Sequence, residues 1–134
     1  MLRYHPARGT ILICDFNQFQ VPEMTKRRPV IVLSQNIFNR PGLCTIVALS
    51  TTTPCPVMPY HKELIINPVL PFPYNSPTMW IKGDMIYSLS LSRMNFPFSG
   101  KDNNGRRIYD IRVLGAADMN VVEQCVLNGL DIHC

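Results

Sequence analysis

Short apolar runs, each bounded by polar loops, dominate the first half of the chain. The run from Thr10 to Phe16 is rich in residues that favour β-structure, so we predict that it forms the first strand. The runs Val30 to Leu33 and Leu43 to Leu49 are almost continuously apolar, as expected of strands in the middle of a sheet. Pro29 fits the first position of the second strand, where its missing N–H costs least. A polar, mobile loop over residues 17–27 is predicted to join the first two strands.

Strand character returns later in the chain, although its alternation is less regular. Residues 79–91 are predicted to form a long strand and residues 108–114 a later one. Between them, Asn104-Gly105 is a strong signal for a hairpin turn. Earlier, Ser34 can cap a single helical turn over residues 34–39, and a turn is predicted at Arg40-Pro41-Gly42. The chain is therefore expected to hold about six short strands.

One convincing helix is predicted at the C-terminus, from Asp118 to Leu130. Val122, Val126 and Leu130 follow one another at intervals of four residues, which gives the helix one broad apolar face. Gly129 is placed to end it. The predicted fold class is therefore mainly β with a C-terminal α-helix. Short strands under one covering helix suggest a small closed barrel, although the pattern alone supports only the mainly β class.

The segment from about residue 54 to 77 has a different composition, because it contains seven prolines. Proline density excludes a continuous helix, and only residues 61–67 are predicted to form a strand. The segment could be a lid or rim over a groove, but a surface insertion is the favoured interpretation because long loops vary readily. At 134 residues, the chain is expected to be one domain, residues 1–134, that carries this insertion.

Composition narrows the class of protein. The chain is 46% apolar and 16% charged, as in globular proteins, and its net charge of +4 suits a phosphate-bearing partner. Five cysteines are an odd number, and Cys14, Cys44 and Cys125 stand within apolar runs, so buried thiols in a reducing compartment are expected. No run reaches the ~20 apolar residues of a membrane span. We therefore expect a cytoplasmic protein with no membrane association, metal or cofactor.

The groups that could carry chemistry cluster at strand ends. Glu23 stands five residues before Arg28, and the hydroxyl residues Ser50 and Thr51 follow the third apolar run. A carboxylate, a guanidinium and a hydroxyl together suit the handling of a phosphodiester. With the Glu-x4-Arg-Pro loop, the VxVLS sequence at 30–34 and the strand-end Ser/Thr, the chain resembles the MazF/PemK family of toxin endoribonucleases.

This resemblance implies roles for the clustered residues. Arg28 would contact the scissile phosphate, and Glu23 would orient Arg28 or relay a proton. Ser50 matches the family's catalytic hydroxyl, and Thr51 takes its place if the register shifts by one. On chemistry alone, a solvated arginine, an exposed loop carboxylate and a polar strand end are open alternatives.

Further candidates lie on either side of these residues. Asp84 matches an aspartate implicated in general-base work in the PemK branch, although a structural role is a live alternative because an aspartate inside a strand often marks a turn. Lys82 occupies the place of a basic residue of that branch. Lys26 and Arg27 extend the basic character beside Arg28. Lys82, Lys26 and Arg27 are therefore the candidate RNA-binding residues.

The histidines and several aromatic residues are weaker candidates for a functional role. The three histidines are expected on the surface, and four aromatic residues could stack on unpaired bases but more often fill a core or a subunit interface. The histidines are His5, His61 and His133, and the aromatic residues are Phe19, Phe38, Trp80 and Tyr87.

The resemblance also implies an activity and partners. Family members have an SH3-like barrel and cleave single-stranded RNA without metal, through attack of the 2′-OH that leaves a cyclic phosphate and a 5′-OH. They act as homodimers, with mRNA as the expected substrate and a small acidic antitoxin as inhibitor. Two alternatives remain: a non-catalytic barrel toxin that poisons DNA gyrase, or a plain SH3-like binding module. Neither would need the set Glu23, Arg28 and Ser50.

Overall fold

The computed structural model of the protein describes residues 2–35 and 41–133. Within them, the strands are Ile11–Asp15 (β1), Arg27–Val32 (β2), Leu43–Ser50 (β3), His61–Ile65 (β4), Thr78–Ser90 (β5), Met94–Asn95 (β6), Phe98–Lys101 (β7) and Arg107–Tyr109 (β8). A 3₁₀ turn spans Leu91–Arg93, and the helix α1 spans Ala116–Gly129. The mainly β class with a C-terminal helix is confirmed.

The main sheet has six antiparallel strands in the order β4-β5-β3-β2-β1-β6. β6 pairs with β1, on the far side of the sheet from β5, although only the 3₁₀ turn separates β5 from β6 in sequence. The strands from β5 round to β6 must therefore curl towards each other. The result is the small barrel that was predicted. The 3₁₀ turn connects β5 to β6, and these two strands do not pair with each other, so the sheet itself stays open between them.

The two faces of the sheet cover separate cores. Alternate residues on one face, here called the inner face, pack inside the barrel, and they include Leu12, Val30, Val32, Ile46 and Ala48. The residues between them point to the opposite face, the helix face, which is covered by Met119, Val122 and Cys125 of α1. Because successive side chains of a strand point to opposite faces, the register alone decides which residues share a face.

A bulge in β5 brings the sheet against the helix. Val47 and Ala48 are neighbours in β3, but their partners in β5 are Ile86 and Lys82, so residues 83–85 are extra. The Gly83 N–H donates to the Tyr60 carbonyl at 2.9 Å. A Cβ at Gly83 would collide with the carbonyl of Cys125 in α1. Glycine is needed here because helix and sheet backbones meet directly.

Most residues of the proline-rich segment are exposed, but part of the segment is built into the core, unlike a simple surface insertion. Within it, β4 forms the edge of the sheet, close to the predicted span of 61–67. Leu64, Ile66 and Leu70 are almost completely buried against the helix-face core. Outside β4 the segment is loop, but it contains turns and bends and does not run extended throughout.

Several local predictions need correction. Pro29 is the third residue of β2, not its first, and it lies opposite Ile13. The loop over 17–27 is pinned to the barrel, because Met24 is buried and its N–H donates to the Tyr87 hydroxyl at 2.9 Å. The strand predicted at 108–114 is reduced to β8.

The predicted hairpin turn and the predicted helix end are confirmed, and two other local predictions fall mostly outside the described residues. The Asn104-Gly105 turn joins β7 to β8, with Gly105 at a φ of 77°. Gly129 is the last residue of α1. The predicted helical turn at 34–39 and the start of the turn at Arg40 lie mostly among residues 36–40, outside the described ranges.

Candidate active site

The strand register aligns three candidate side chains, and a glutamate that was not a candidate, in one row. β2 and β3 pair up to Val30 and Ala48, and the same register continued by two residues sets Arg28 opposite Ser50. Ser50 pairs with Trp80 of β5, and Trp80 pairs with Glu63 of β4. Directly opposite residues in antiparallel strands point to the same face. Arg28, Ser50, Trp80 and Glu63 therefore form a row across the inner face at one end of the barrel, here called the polar row.

Arg28 is held with most of its donors unused. Its Nε–H donates to the Thr25 carbonyl at 2.9 Å, and the residue is half-buried. None of the carboxylates in the described ranges forms an ion pair with it. The two terminal nitrogens of a guanidinium form a planar fork that can hold two phosphate oxygens. Anchoring Nε therefore fixes the direction of the fork and leaves it open to an anion.

Ser50 is also oriented by the backbone. It is the last residue of β3, is 6% exposed, and its Oγ accepts a hydrogen bond from the Thr52 N–H at 3.1 Å. One lone pair is thus occupied, while the hydroxyl proton makes no hydrogen bond within the described residues. The hydroxyl can donate that proton to a phosphate oxygen. Thr51 lies beyond the strand and is exposed.

Glu23 is not joined to Arg28. Its carboxylate accepts the Gln20 N–H at 3.0 Å, and its own N–H donates to the Gln20 carbonyl at 2.8 Å. The carboxylate thus stabilises the turn that precedes β2, and it remains exposed. The structure places Glu23 in the loop leading to Arg28, but shows no contact by which it would orient the guanidinium.

Asp84 lies within the β5 bulge and Lys82 directly precedes it, beside a histidine that was predicted to lie on the surface. Lys82 lies opposite His61 on the inner face, and an Asp84 carboxylate oxygen is 4.0 Å from His61 Nε2. His61 is 9% exposed, so its predicted surface position is wrong. Its Nδ1 accepts the Met58 N–H at 3.0 Å, which leaves Nε2 to carry the proton of the neutral ring.

Burial is the main cause that lowers the pKa of His61, and the positive charge of Lys82 lowers it further. The Asp84 carboxylate opposes both effects by favouring the imidazolium. The site therefore holds a neutral imidazole between a cation and a carboxylate. His61 shares its face with Glu63 and Ile65 of the same strand, so the alternation of apolar residues in the sequence gave no sign of its burial.

The two remaining basic candidates occupy different positions. Arg27 pairs with Asp15 at 3.4 Å and, as the neighbour of Arg28 in β2, points to the opposite face. Lys26 is exposed in a left-handed conformation with φ of 68°. Arg27 therefore does not share the face of the polar row, and Lys26 lies outside β2, where strand alternation does not apply.

The aromatic candidates separate into two groups. Phe19 and Tyr87 pack on each other with 5.7 Å between ring centroids, and both contact Phe16, so they serve the barrel core. Trp80 is half-buried beside Ser50 in the polar row. Phe38 lies outside the described residues.

The four cysteines of the described residues have free thiols, and three of them are buried, as expected. Cys14, Cys44 and Cys125 are buried, whereas Cys55 is exposed. Burial raises the pKa of Cys14 to about 12, and it raises the pKa of Cys44 and Cys125 as well. Within the described ranges, no three His, Cys, Asp or Glu side chains come together as a possible metal site. Over the same ranges, no helix is long and apolar enough to cross a membrane.

Comparisons with known proteins agree with this architecture. The sequence matches, over residues 7–127, a family model described as PemK-like, MazF-like toxin of type II toxin–antitoxin system. A comparison with curated proteins finds no significant match.

Solved structures share the fold at low sequence identity. An endoribonuclease in complex with its cognate antitoxin, from a mycobacterial species, is 19% identical with a TM-score of 0.60, over 97% of this chain and 99% of that one. Another mycobacterial endoribonuclease is 20% identical with a TM-score of 0.57, over 96% and 94%. MazF from Deinococcus radiodurans is 18% identical with a TM-score of 0.58, over 96% and 99%.

Proposed function

The chain belongs to the family of PemK-like, MazF-like toxins of type II toxin–antitoxin systems, and we propose that it is an endoribonuclease that cleaves single-stranded RNA without a metal ion. The observation that carries this proposal is the polar row, in which the unused guanidinium fork of Arg28 lies opposite the available hydroxyl of Ser50 by continued register. Two of the structurally similar proteins are described as endoribonucleases.

The reaction needs no nucleophile from the protein. The 2′-OH of the RNA attacks the adjacent phosphorus, the bond from phosphorus to the 5′-oxygen breaks, and the products are a 2′,3′-cyclic phosphate and a 5′-OH. Negative charge builds on the non-bridging phosphate oxygens in the transition state. Arg28 either binds two of these oxygens itself or binds one of them while Ser50 binds the other. Each such donor contributes about 10²–10³-fold to the rate.

Two protons must move during the reaction, one from the 2′-OH and one to the leaving 5′-oxygen. The exposed carboxylates of Asp84 and Glu23 are our candidates for these transfers, with Asp84 as the base. Lys82 lies two residues from Trp80 on the inner face and supplies positive charge for the RNA backbone. Lys26 and Arg27 are peripheral contacts in this arrangement, because Arg27 points to the opposite face and Lys26 lies in the loop before β2.

The proposed biological setting follows from the family. We propose that the toxin acts in the cytoplasm on mRNA, as a homodimer of one-domain chains, and that a small acidic antitoxin neutralises it. A structurally similar protein is described in complex with its cognate antitoxin. The net charge of +4 suits both an RNA substrate and an acidic inhibitor, because both are negatively charged.

The test is cleavage of a mixed RNA pool by purified protein in excess EDTA, with both new ends mapped chemically. The proposal expects defined cleavage sites with cyclic-phosphate and 5′-OH ends, and no cleavage of DNA of the same sequences, which lacks the 2′-OH. Activity that is lost in chelator and restored by magnesium would contradict the mechanism. Absence of cleavage under all conditions would favour a barrel protein that acts by binding alone.

A further inference from the structure

Trp80 occupies a central place in the polar row. It pairs with Ser50 on one side and with Glu63 on the other, and all three side chains share the inner face. Directly opposite residues have Cβ atoms about 4.5–5.5 Å apart. The indole is therefore adjacent to the hydroxyl that the proposed function directs at the scissile phosphate.

The indole has no partner of its own within residues 2–35 and 41–133. The half-buried ring makes no aromatic or cation–π contact there, and its N–H makes no hydrogen bond. This distinguishes it from Phe19 and Tyr87, which pack against each other. A tryptophan that serves a core usually buries its ring and satisfies its N–H. Trp80 does neither completely, so it presents an aromatic surface beside the site.

Glu63 adds a polar group at the same place. It is exposed, and no Lys, Arg or His of the described residues forms an ion pair with it. A carboxylate accepts hydrogen bonds and cannot donate one when ionised. An aromatic ring next to a free acceptor is a combination suited to an unpaired base, which offers a flat face and a polar edge.

We propose that Trp80 and Glu63 form a nucleotide subsite: Trp80 stacks on a base that flanks the scissile phosphate, and Glu63 accepts a hydrogen bond from the amino group of that base. This inference rests on the proposed function and specifies how the same site selects RNA. Guanine, adenine and cytosine each carry an amino group on the edge that faces away from the sugar. Uracil presents carbonyl oxygens on both sides of its single N–H, and these repel a carboxylate, so uracil is disfavoured in the subsite.

The first test compares cleavage kinetics of wild type, Trp80→Phe and Trp80→Leu on one mapped RNA. Leucine keeps apolar volume but removes the aromatic face, so KM should rise about 5- to 150-fold, the factor that corresponds to the loss of one stacked base. Phenylalanine should stay within a few-fold of wild type. Because stacking acts on substrate and transition state alike, kcat should change little. Thermal unfolding of all three proteins controls for folding.

Tryptophan fluorescence gives a second readout, because Trp80 is the single tryptophan of the chain. RNA with 2′-O-methyl sugars cannot undergo the reaction, and its binding is followed independently by its own fluorescence anisotropy. Binding should quench the Trp80 emission. Emission that changes with protein concentration but not with bound RNA would place the ring in a subunit interface and overturn the proposal.

Base preference tests Glu63. RNAs that differ only at the bases flanking the cleaved bond should be cut less efficiently with uracil in the subsite, and Glu63→Gln should relax this discrimination because an amide can donate to a uracil carbonyl. Equal KM for wild type and Trp80→Leu, or discrimination unchanged in Glu63→Gln, would overturn the subsite while leaving the nuclease intact. Absence of cleavage by the wild-type protein would overturn the proposed function, and the subsite with it.

Discussion

Removal of the Ser50 hydroxyl probes the site at its most constrained point. Ser50→Ala deletes one oxygen from a residue that is 6% exposed, and the change leaves the Thr52 N–H without its acceptor at 3.1 Å. Thr52 is exposed, so water can replace that hydrogen bond. The free energy of unfolding should therefore fall by only about 0.5–1.5 kcal/mol.

The expected catalytic effect is larger than this structural effect. If the hydroxyl donates to a phosphate oxygen in the transition state, its loss should lower kcat by about 10²–10³-fold, or about 2.7–4 kcal/mol. KM should change little, because the interaction strengthens in the transition state. Thr51→Ala is the matched control, since Thr51 is exposed, lies one residue beyond β3 and makes no hydrogen bond through its side chain within the described residues.

The assay is single-turnover cleavage of a mapped RNA by the three proteins, with unfolding in urea measured in parallel. The expected result is a severe defect for Ser50→Ala and a rate within a few-fold of wild type for Thr51→Ala. A severe defect at Thr51 with a mild one at Ser50 would show that the active hydroxyl has been assigned one residue too early. Mild defects at both positions would refute the idea that a hydroxyl at this strand end stabilises the transition state.

Three further predictions follow from the packing and from the titrating groups. Gly83→Ala should lower the free energy of unfolding by about 1–3 kcal/mol in urea, because the new Cβ meets the Cys125 carbonyl; a change under about 0.5 kcal/mol would contradict the direct backbone contact. The folded protein has a lowered pKa at His61, so the unfolded state binds more protons, and stability should be fully present above the ordinary pKa of 6.5 and decline as the pH falls below it. His61→Asn, which retains an acceptor for the Met58 N–H, should show a shallower decline between pH 7 and 5, and an identical slope would contradict this assignment. Alkylation at pH 8, read by mass spectrometry, should label exposed Cys55 rapidly and buried Cys14 slowly, and equal labelling would contradict the burial of Cys14.

The strands predicted best from the sequence are those whose two faces are both buried, because their residues are then apolar throughout. β2 and β3 run through the centre of the sheet, so their residues are apolar on both faces and read as continuous runs. The strand predicted at 108–114 failed for the opposite reason. Ile111 and Val113 are exposed, and the only β-pairing they make within the described residues is an isolated bridge from Val113 to Thr10.

The candidate residues of the site could be named from the sequence, but their arrangement could not. Arg28 and Ser50 were named from the resemblance to the family, and the register of β2 and β3, continued by two residues beyond Val30 and Ala48, sets them opposite each other. The role of Trp80 depends on pairs formed with strands far away in sequence. His61 lies opposite Lys82, directly before the bulge at Gly83, and a single glycine in an apolar run does not reveal that bulge.

The comparison of Arg28→Ala with Arg27→Ala tests the central claim most directly. The two arginines are neighbours in β2 and carry the same charge, but Arg28 lies on the face of the polar row with its terminal nitrogens unpaired, while Arg27 faces the other way and pairs with Asp15. Both variants should fold, as judged by thermal unfolding. In EDTA, Arg28→Ala should lose at least about 10²–10³-fold in kcat/KM, as expected for loss of a transition-state donor, and Arg28→Lys should remain severely impaired because a point charge does not replace the planar fork. Arg27→Ala should retain most of the activity. Near wild-type cleavage by Arg28→Ala, or an equal loss in both alanine variants, would contradict the assignment of Arg28 to the scissile phosphate.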